Sequence, residues 1–376
     1  MRHRVLERAQ APLPVGPQTA PPHRASPRGR PHAKCLSNLA DAPLRVCTQN
    51  EFALQELFWR KAACDWSGAH HVGPMSRTST LSPADLPLPS ARRLPRSRRG
   101  DGWDALADIE VFVFAVEAEL EAMERERVGV HRRGRKPDLT LRRRLIGLIW
   151  TLTFGGMQWR VAGWLSGVPF TTLHSTFARW ARLGLWRRLG QRLAGDWRLA
   201  CDDEVVPSAV VADSRSLRSA PTAWTRGIDG GKLIKGVKVF AICDKHGSLF
   251  DLELGPANTD DRTGTLPILP RLAALGFQGD LLGDSGFTGA PFATAALAHD
   301  IHVSVSPGGT RDGRFRPCGI RWVVERLFAW LSRYRRLNIV FDRAPDLFAA
   351  HIWIGMISII SRRLLAQAQA QAQQGI

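Results

Sequence analysis

The chain has 376 residues, with 52 Lys and Arg against 34 Asp and Glu, a formal net charge of +18 and a pI near 11.0. That length suits two or three domains with real cores, and the charge points to a polyanionic partner, nucleic acid above all. Six cysteines without a CxxC pair argue against a zinc ribbon or a thioredoxin-like site and suit a reduced cytosolic protein.

No apolar run reads as long enough to cross a bilayer, because 145–154 is flanked by Arg142-Arg143-Arg144 and Gln158-Trp159-Arg160. The N-terminus lacks the apolar core of a signal peptide. A cytoplasmic protein with no membrane partner is expected.

Residues 1–100 are rich in Pro and Arg, and only 51–63 has a helical period. A disordered arm is expected there, with Met75 a candidate natural start. Residues 101–200 read as a helical domain. Apolar residues at 106, 109, 113, 116, 120 and 123 predict a helix over 103–127. Its mostly acidic surface suits packing on protein rather than on DNA. Gly134-Arg135-Lys136-Pro137 breaks the chain, and Asp138 or Thr140 can cap a helix over 141–154.

A helix-turn-helix-like unit follows. Residues 158–165 predict a short helix with Trp159 and Leu165 inward, 166–169 a turn, and Thr171 or Thr172 caps a helix running to Leu183. Leu173, Phe177 and Trp180 share one face. His174, Ser175 and Arg179 lie near another, which suits a DNA groove.

From 205 the period changes. Residues 205–212 read as a buried strand, and 235–243 and 248–254 as a hairpin around Asp244-Lys245-His246-Gly247. Then come a helix over 266–275, a strand over 280–283, a helix over 291–299, a strand over 301–305 and a long helix over 320–337. This order is that of an α/β, ribonuclease-H-like mixed sheet with flanking helices, expected over 201–365, with 366–376 a disordered tail.

In that fold Asp213 follows the first strand and Asp284 the fourth, so the two converge at one sheet end, and Glu325 comes from the helix above. Three carboxylates suit Mg²⁺ or Mn²⁺, two ions acting on a DNA phosphate. Each has a duller reading: a loop cap at Asp213, a plain turn at Asp284-Ser285-Gly286, an i, i+4 pair of Glu325 with Arg321. Lys232, Lys235 and Lys238 are candidate phosphate contacts near the site, and Arg321, Arg333, Arg335 and Arg336 a basic stretch along the last helix.

The segment from Arg321 to Leu331, RWVVERLFAWL, with Tyr334-Arg335-Arg336-Leu337 after it, resembles the glutamate signature of the DDE transposases of bacterial insertion sequences, and most of all the insertion-sequence-five family. Val211-Ala212-Asp213-Ser214 and Gly283-Asp284-Ser285-Gly286-Phe287 resemble its two aspartate blocks. Gly230-Gly231-Lys232, Lys235-Gly236-Val237-Lys238 and Ala257-Asn258-Thr259-Asp260-Asp261 resemble the stretches between them. Gly134-Arg135-Lys136-Pro137 and the 159–186 region resemble its N-terminal domain. The likeness spans about 130–362.

Cys318 stands where the family's broader signature has Tyr, and Ser332 where it has Lys. The resemblance implies a transposase that binds the inverted repeats of an insertion sequence and performs metal-dependent cleavage and strand transfer. Arg135, Lys136, His174 and Arg179 would help hold double-stranded DNA, both element ends and target, and the protein would act as a homodimer or larger assembly. A hydrolytic nuclease and a silent DNA-binding regulator are the competing readings.

Overall fold

The computed structural model describes residues 105–126, 138–305 and 322–374. The N-terminal arm, including 51–63 and Met75, lies outside them, as do Arg135, Lys136, Cys318 and Arg321.

Five helices come first: α1 (Ala105–Glu126), α2 (Leu139–Gly155), α3 (Trp159–Ser166), α4 (Phe170–Arg182) and α5 (Leu185–Ala200). Asp138 caps α2 as expected, its carboxylate accepting from Leu141 N at 3.1 Å. The acidic surface of α1 does pack on protein. Glu119 is buried between Arg188 (2.6 Å) and Arg192 (2.8 Å), and Glu124 pairs with Arg142 (2.7 Å). In α3, Ala162 and Gly163 take the inward face and Leu165 is exposed, contrary to its expected inward position. Pro169, not a threonine, occupies the cap position of α4, and Thr171 and Thr172 fall inside the helix.

The sheet contains β1 (Ala209–Ser219), β2 (Gly227–Asp229), β3 (Ile234–Cys243), β4 (Leu249–Pro256), β5 (Gly279–Gly283), β6 (Ile301–Val305) and β7 (Ile339–Val340). Its path is β2-β3-β1-β5-β6, with β4 on β3 and β7 on β1. The β1/β3, β2/β3 and β3/β4 pairs are antiparallel; β1/β5, β5/β6 and β1/β7 are parallel. The α6 (Asp261–Thr265), α7 (Leu269–Ala274) and α8 (Ala290–Leu297) helices interrupt the strands, and α9 (Trp322–Leu331) and α10 (Pro345–Gln374) close the described chain. This is an α/β fold with a mixed sheet and helices on both faces.

Side-chain alternation splits the sheet into two cores. Val210, Ala212, Phe240, Ile242 and Leu281 pack with α7 and α8 on one face. Val211, Leu217, Val239, Ala241 and Cys243 pack on the other, in a core continuous with α1, α2, α4, α5, α9 and α10. The sequence boundary at 200/201 therefore separates elements but not cores.

The α10 helix is the shared spine. Trp150 Nε1 donates to Ser358 Oγ (2.9 Å), and a Cβ at Gly190 would stand 2.4 Å from Trp353 Cε3, so α5 and α10 meet at a position where any side chain would clash. Within α10, 345–371 is long and apolar enough to span a membrane, with a mean hydropathy of 1.3, and 83% of its most apolar stretch is buried among the other helices. This run, contrary to the expectation that none is long enough, continues through Arg362 and Arg363 into an Ala/Gln stretch. That stretch is helical to Gln374, with Leu364, Leu365 and Ala368 in the core, rather than a tail beginning at 366.

Candidate active site

Val205 and Val206 precede the first strand. β1 begins at Ala209 and runs on to Ser219, because Ser214–Arg218 pair with β3. Asp213 therefore lies inside a strand, opposite Ala241, instead of following one. Beside β1, β5 pairs in parallel at Ala209↔Asp280, Val210↔Leu281 and Val211↔Leu282. Two residues beyond that last pair stand Asp213 and Asp284. β5 ends at Gly283, so Asp284 stands one residue past it, at the same end of the β1/β5 pair as Asp213, whose side chain falls on the face of Val211. Cys243 is paired opposite Val211, and burial, then the charges of Asp244 and Asp213, push its thiol well up.

Local hydrogen bonds shape both aspartates. Asp213 Oδ1 accepts from Ser214 N (2.7 Å). Asp284 caps the 3-10 turn Ser285–Phe287, its Oδ1 accepting from Gly286 N at 2.8 Å. A third acid, Asp261, reaches this place from the first turn of α6. Its Oδ1 accepts from Ser214 Oγ (2.6 Å) and lies 3.6 Å from Lys238 Nζ. Its Oδ2 and Asp284 Oδ1 each lie 2.9 Å from where a Cβ on Gly286 would sit. Arg262 Nη1 ties the same helix to Thr288 O (2.9 Å). The Asp260-Asp261 doublet after β4 was the available signal in the sequence.

Glu325 is exposed in the first turn of α9, which lies on the Asp213 face through Val323, Val324, Leu327 and Leu331. Arg215, two residues after Asp213, donates to Phe328 O (3.0 Å), one turn beyond Glu325. Asp213 and Glu325 thus lie on one face of the sheet, and Asp284 follows the end of β5 beside Asp261, which bonds Ser214 and Lys238 on the other face. Among the described residues, no three His, Cys, Asp or Glu side chains are gathered closely enough to hold a metal ion. The structure brings Asp213 and Asp284 to the same end of the β1/β5 pair and leaves Glu325 apart from them.

Residues 205–315 match the family described as the transposase DDE domain. A putative transposase for insertion sequence element IS402, from Burkholderia cepacia, is 30% identical over 131 residues, 32% of this chain and 60% of that protein. Residues 205–315 are similar to the DDE domain of transposases, and the chain is similar in part to an insertion-sequence transposase. The matched segment contains Asp213 and Asp284 and ends before Glu325. The chain spans about 60% of the length of this relative. No solved structure matches.

Around the matched segment the basic residues divide. Lys232 and Lys235 are exposed; the Lys232 backbone is held by Asp229 Oδ1 (3.0 Å). Lys238 is half-buried against Asp261 and the Phe240 ring. α9 ends at Leu331, since Tyr334 is extended and Asn338 Nδ2 caps Ser332 O (2.8 Å), so Arg333, Arg335 and Arg336 do not continue it. Arg333 and Arg335 are exposed.

Arg336 is buried in a 2.9 Å ion pair with Asp342, which corrects its expected place on the DNA side. Arg179 and Ser175 are exposed on α4, whereas His174 sits half-buried edge-on to Trp159 (5.1 Å), and burial lowers its pKa.

Proposed function

We propose that this protein is a transposase of the insertion-sequence-five kind, which binds the terminal inverted repeats of its element and catalyses metal-dependent DNA cleavage and strand transfer. The observation that supports this reading is the parallel β1/β5 pair, whose same end carries both Asp213 and Asp284 inside the matched segment. Helices on both faces of a mixed sheet suit a ribonuclease-H-like catalytic domain.

One carboxylate within β1 and one just past the end of the neighbouring β5 offer hard oxygen donors and no soft ligand, a set that fits Mg²⁺ or Mn²⁺. Asp213 and Asp284 would hold the metal, with Glu325 contributed by the covering helix. The bound ions, two in the full site, would neutralise charge on the phosphate and on the attacking and leaving oxygens. Asp261 would keep Asp284 and Lys238 in position from behind, and Lys232 and Lys235 would meet the DNA backbone.

Arg179 and Ser175 on α4 would meet the element ends, with Arg135 and Lys136 nearby in sequence. Arg321, Arg333 and Arg335 would meet the DNA backbone. Joining two ends requires two such centres, so a homodimer on DNA is part of the proposal, acting in the bacterial cytoplasm at the nucleoid.

The discriminating experiment supplies pre-cut ends with free 3′-OH groups and a target duplex, in Mg²⁺ and in chelator. Metal-dependent joined products are expected. End cleavage without joining would reduce the protein to a nuclease, and end binding with neither reaction would make it a DNA-binding regulator.

A further inference from the structure

On another flank of α9, that helix and α10 enclose a cavity of about 230 Å³ lined by Trp330, Arg333, Tyr334, Ile359, Arg362 and Arg363. Three guanidinium groups and no carboxylate line it. A fourth, Arg326, adjoins it over the rings of Trp322 (4.2 Å) and Trp330 (4.7 Å). Arg363 lies 4.2 Å over Trp330 and 5.7 Å from Trp197.

Gathering like charges costs free energy, and here it registers on Arg363, whose pKa falls to about 10 through burial and then the field of Arg326. Asp244 opposes that field. It already pairs with Arg198 (3.3 Å) and accepts from the backbone of His246 and Ser248 (2.9 Å each). Arg326 Nε is buried without a hydrogen-bond acceptor among the described residues. An anion in the cavity would relieve this repulsion.

Trp330 packs toward the β3–β4 turn, where a Cβ on Gly247 would be 3.0 Å from its Cζ3. Five residues separate it from Glu325, about 140° around the helix. The cavity therefore opens away from the aspartates.

We propose that this arginine cavity binds one phosphodiester of the DNA backbone, outside the Asp213–Asp284 centre. The proposal rests on DNA being the partner. Guanidinium forks match phosphate oxygens two at a time. The Trp330 ring is already engaged by Arg326 and Arg363, so the phosphate, and not a base, is the ligand.

The test uses the full chain and a labelled duplex, with affinity measured by fluorescence anisotropy between about 50 and 200 mM salt. Arg362→Gln with Arg363→Gln should weaken binding about tenfold and reduce the salt slope by about 0.9 for the phosphate lost. The charge-matched control Arg125→Gln with Arg143→Gln, both exposed on other helices, should keep the slope. Arg333→Gln changes an exposed residue and serves if the buried double variant fails to fold.

In parallel, inorganic phosphate should raise the Tm of the wild type more than that of Arg333→Gln. Folded variants that match the control in slope, or that phosphate stabilises as much as the wild type, would overturn the proposal. A wild type stabilised by phosphate through these arginines but unable to bind duplex would keep the phosphate site and overturn DNA as the partner.

Discussion

The carboxylates of Asp261 and Asp284 close on Gly286 from two sides, each with an oxygen 2.9 Å from where a Cβ would project. Asp284 also holds the Gly286 N–H, and Asp261 also holds Ser214, the neighbour of Asp213. One residue without a side chain thus lets β1, the end of β5 and α6 meet.

Gly286→Ala should therefore displace the Asp284 carboxylate without touching the core. Cleavage of an element end is expected to fall at least about tenfold, the equivalent of about 1.4 kcal/mol in the barrier. The Tm should move by only a few degrees. Cleavage kinetics beside a thermal melt check both halves, and unchanged cleavage would show that the Gly286 contact does not position Asp284.

The α5–α10 contact gives the opposite pattern. Gly190→Ala places a methyl group against Trp353, where the gap is 2.4 Å. A loss of about 1–3 kcal/mol in stability is expected, as for other overpacked sites, measured by urea denaturation. Because one core joins the first five helices to α10, truncation before Pro345 should unfold both the helical region and the sheet. Cooperative survival of the 138–200 region without α10 would contradict the shared core.

His351 makes stability depend on pH. It is fully buried, with Nδ1 2.7 Å from Thr153 Oγ1, its ring stacked on Phe177 at 4.5 Å, and Arg336, His174 and Asp342 around it. Burial, then the charges of Arg336 and His174, hold its pKa well below 6.5. The unfolded chain takes up a proton near pH 6.5 while the native state stays neutral, so this contribution is intact above pH 6.5 and is lost as pH falls below it. His351→Gln should flatten the decline of unfolding free energy between about pH 6.5 and 5. An equally steep decline in the variant would assign the acid sensitivity elsewhere.

Arginines near the DNA elements should separate by burial. Arg179→Gln, exposed on α4, should weaken binding of element ends and lower the salt slope by about one if it meets a phosphate, with the fold intact. Arg336→Gln breaks a buried ion pair with Asp342 and should cost about 3–5 kcal/mol of stability. Anisotropy titrations beside melts distinguish them, and the reverse pattern would refute this division.

These contrasts mark what the sequence could carry. The β3–β4 hairpin was legible because its apolar residues alternate and Asp244-Lys245-His246-Gly247 has the chemistry of a turn, with Gly247 at φ 73°. The blocks around Asp213 and Asp284 lie far apart in sequence, and only the β1/β5 pairing brings them to the same end of the sheet. The extent of β1 was not, because Ser214 to Arg218 are polar residues that a neighbouring strand, and not their own period, makes extended.

Arg336 and the break after Leu331 were hidden for a similar reason. Burial by Asp342 and Trp159 is a property of tertiary packing. The last turns of α10 were misread as a tail since Ala and Gln favour helices but bury little by themselves.

The central claim is that Asp213, Asp284 and Glu325 act as one metal-dependent centre. It is tested most directly by cleavage of a duplex bearing the element end, in Mg²⁺, by the wild type and the three single alanine variants. The account predicts metal-dependent cleavage by the wild type, its loss in each variant, and end binding retained in all of them. Near-normal cleavage by Glu325→Ala would contradict it, and would leave the Asp213–Asp284 pair, with Asp261 beside it, as the whole of the centre.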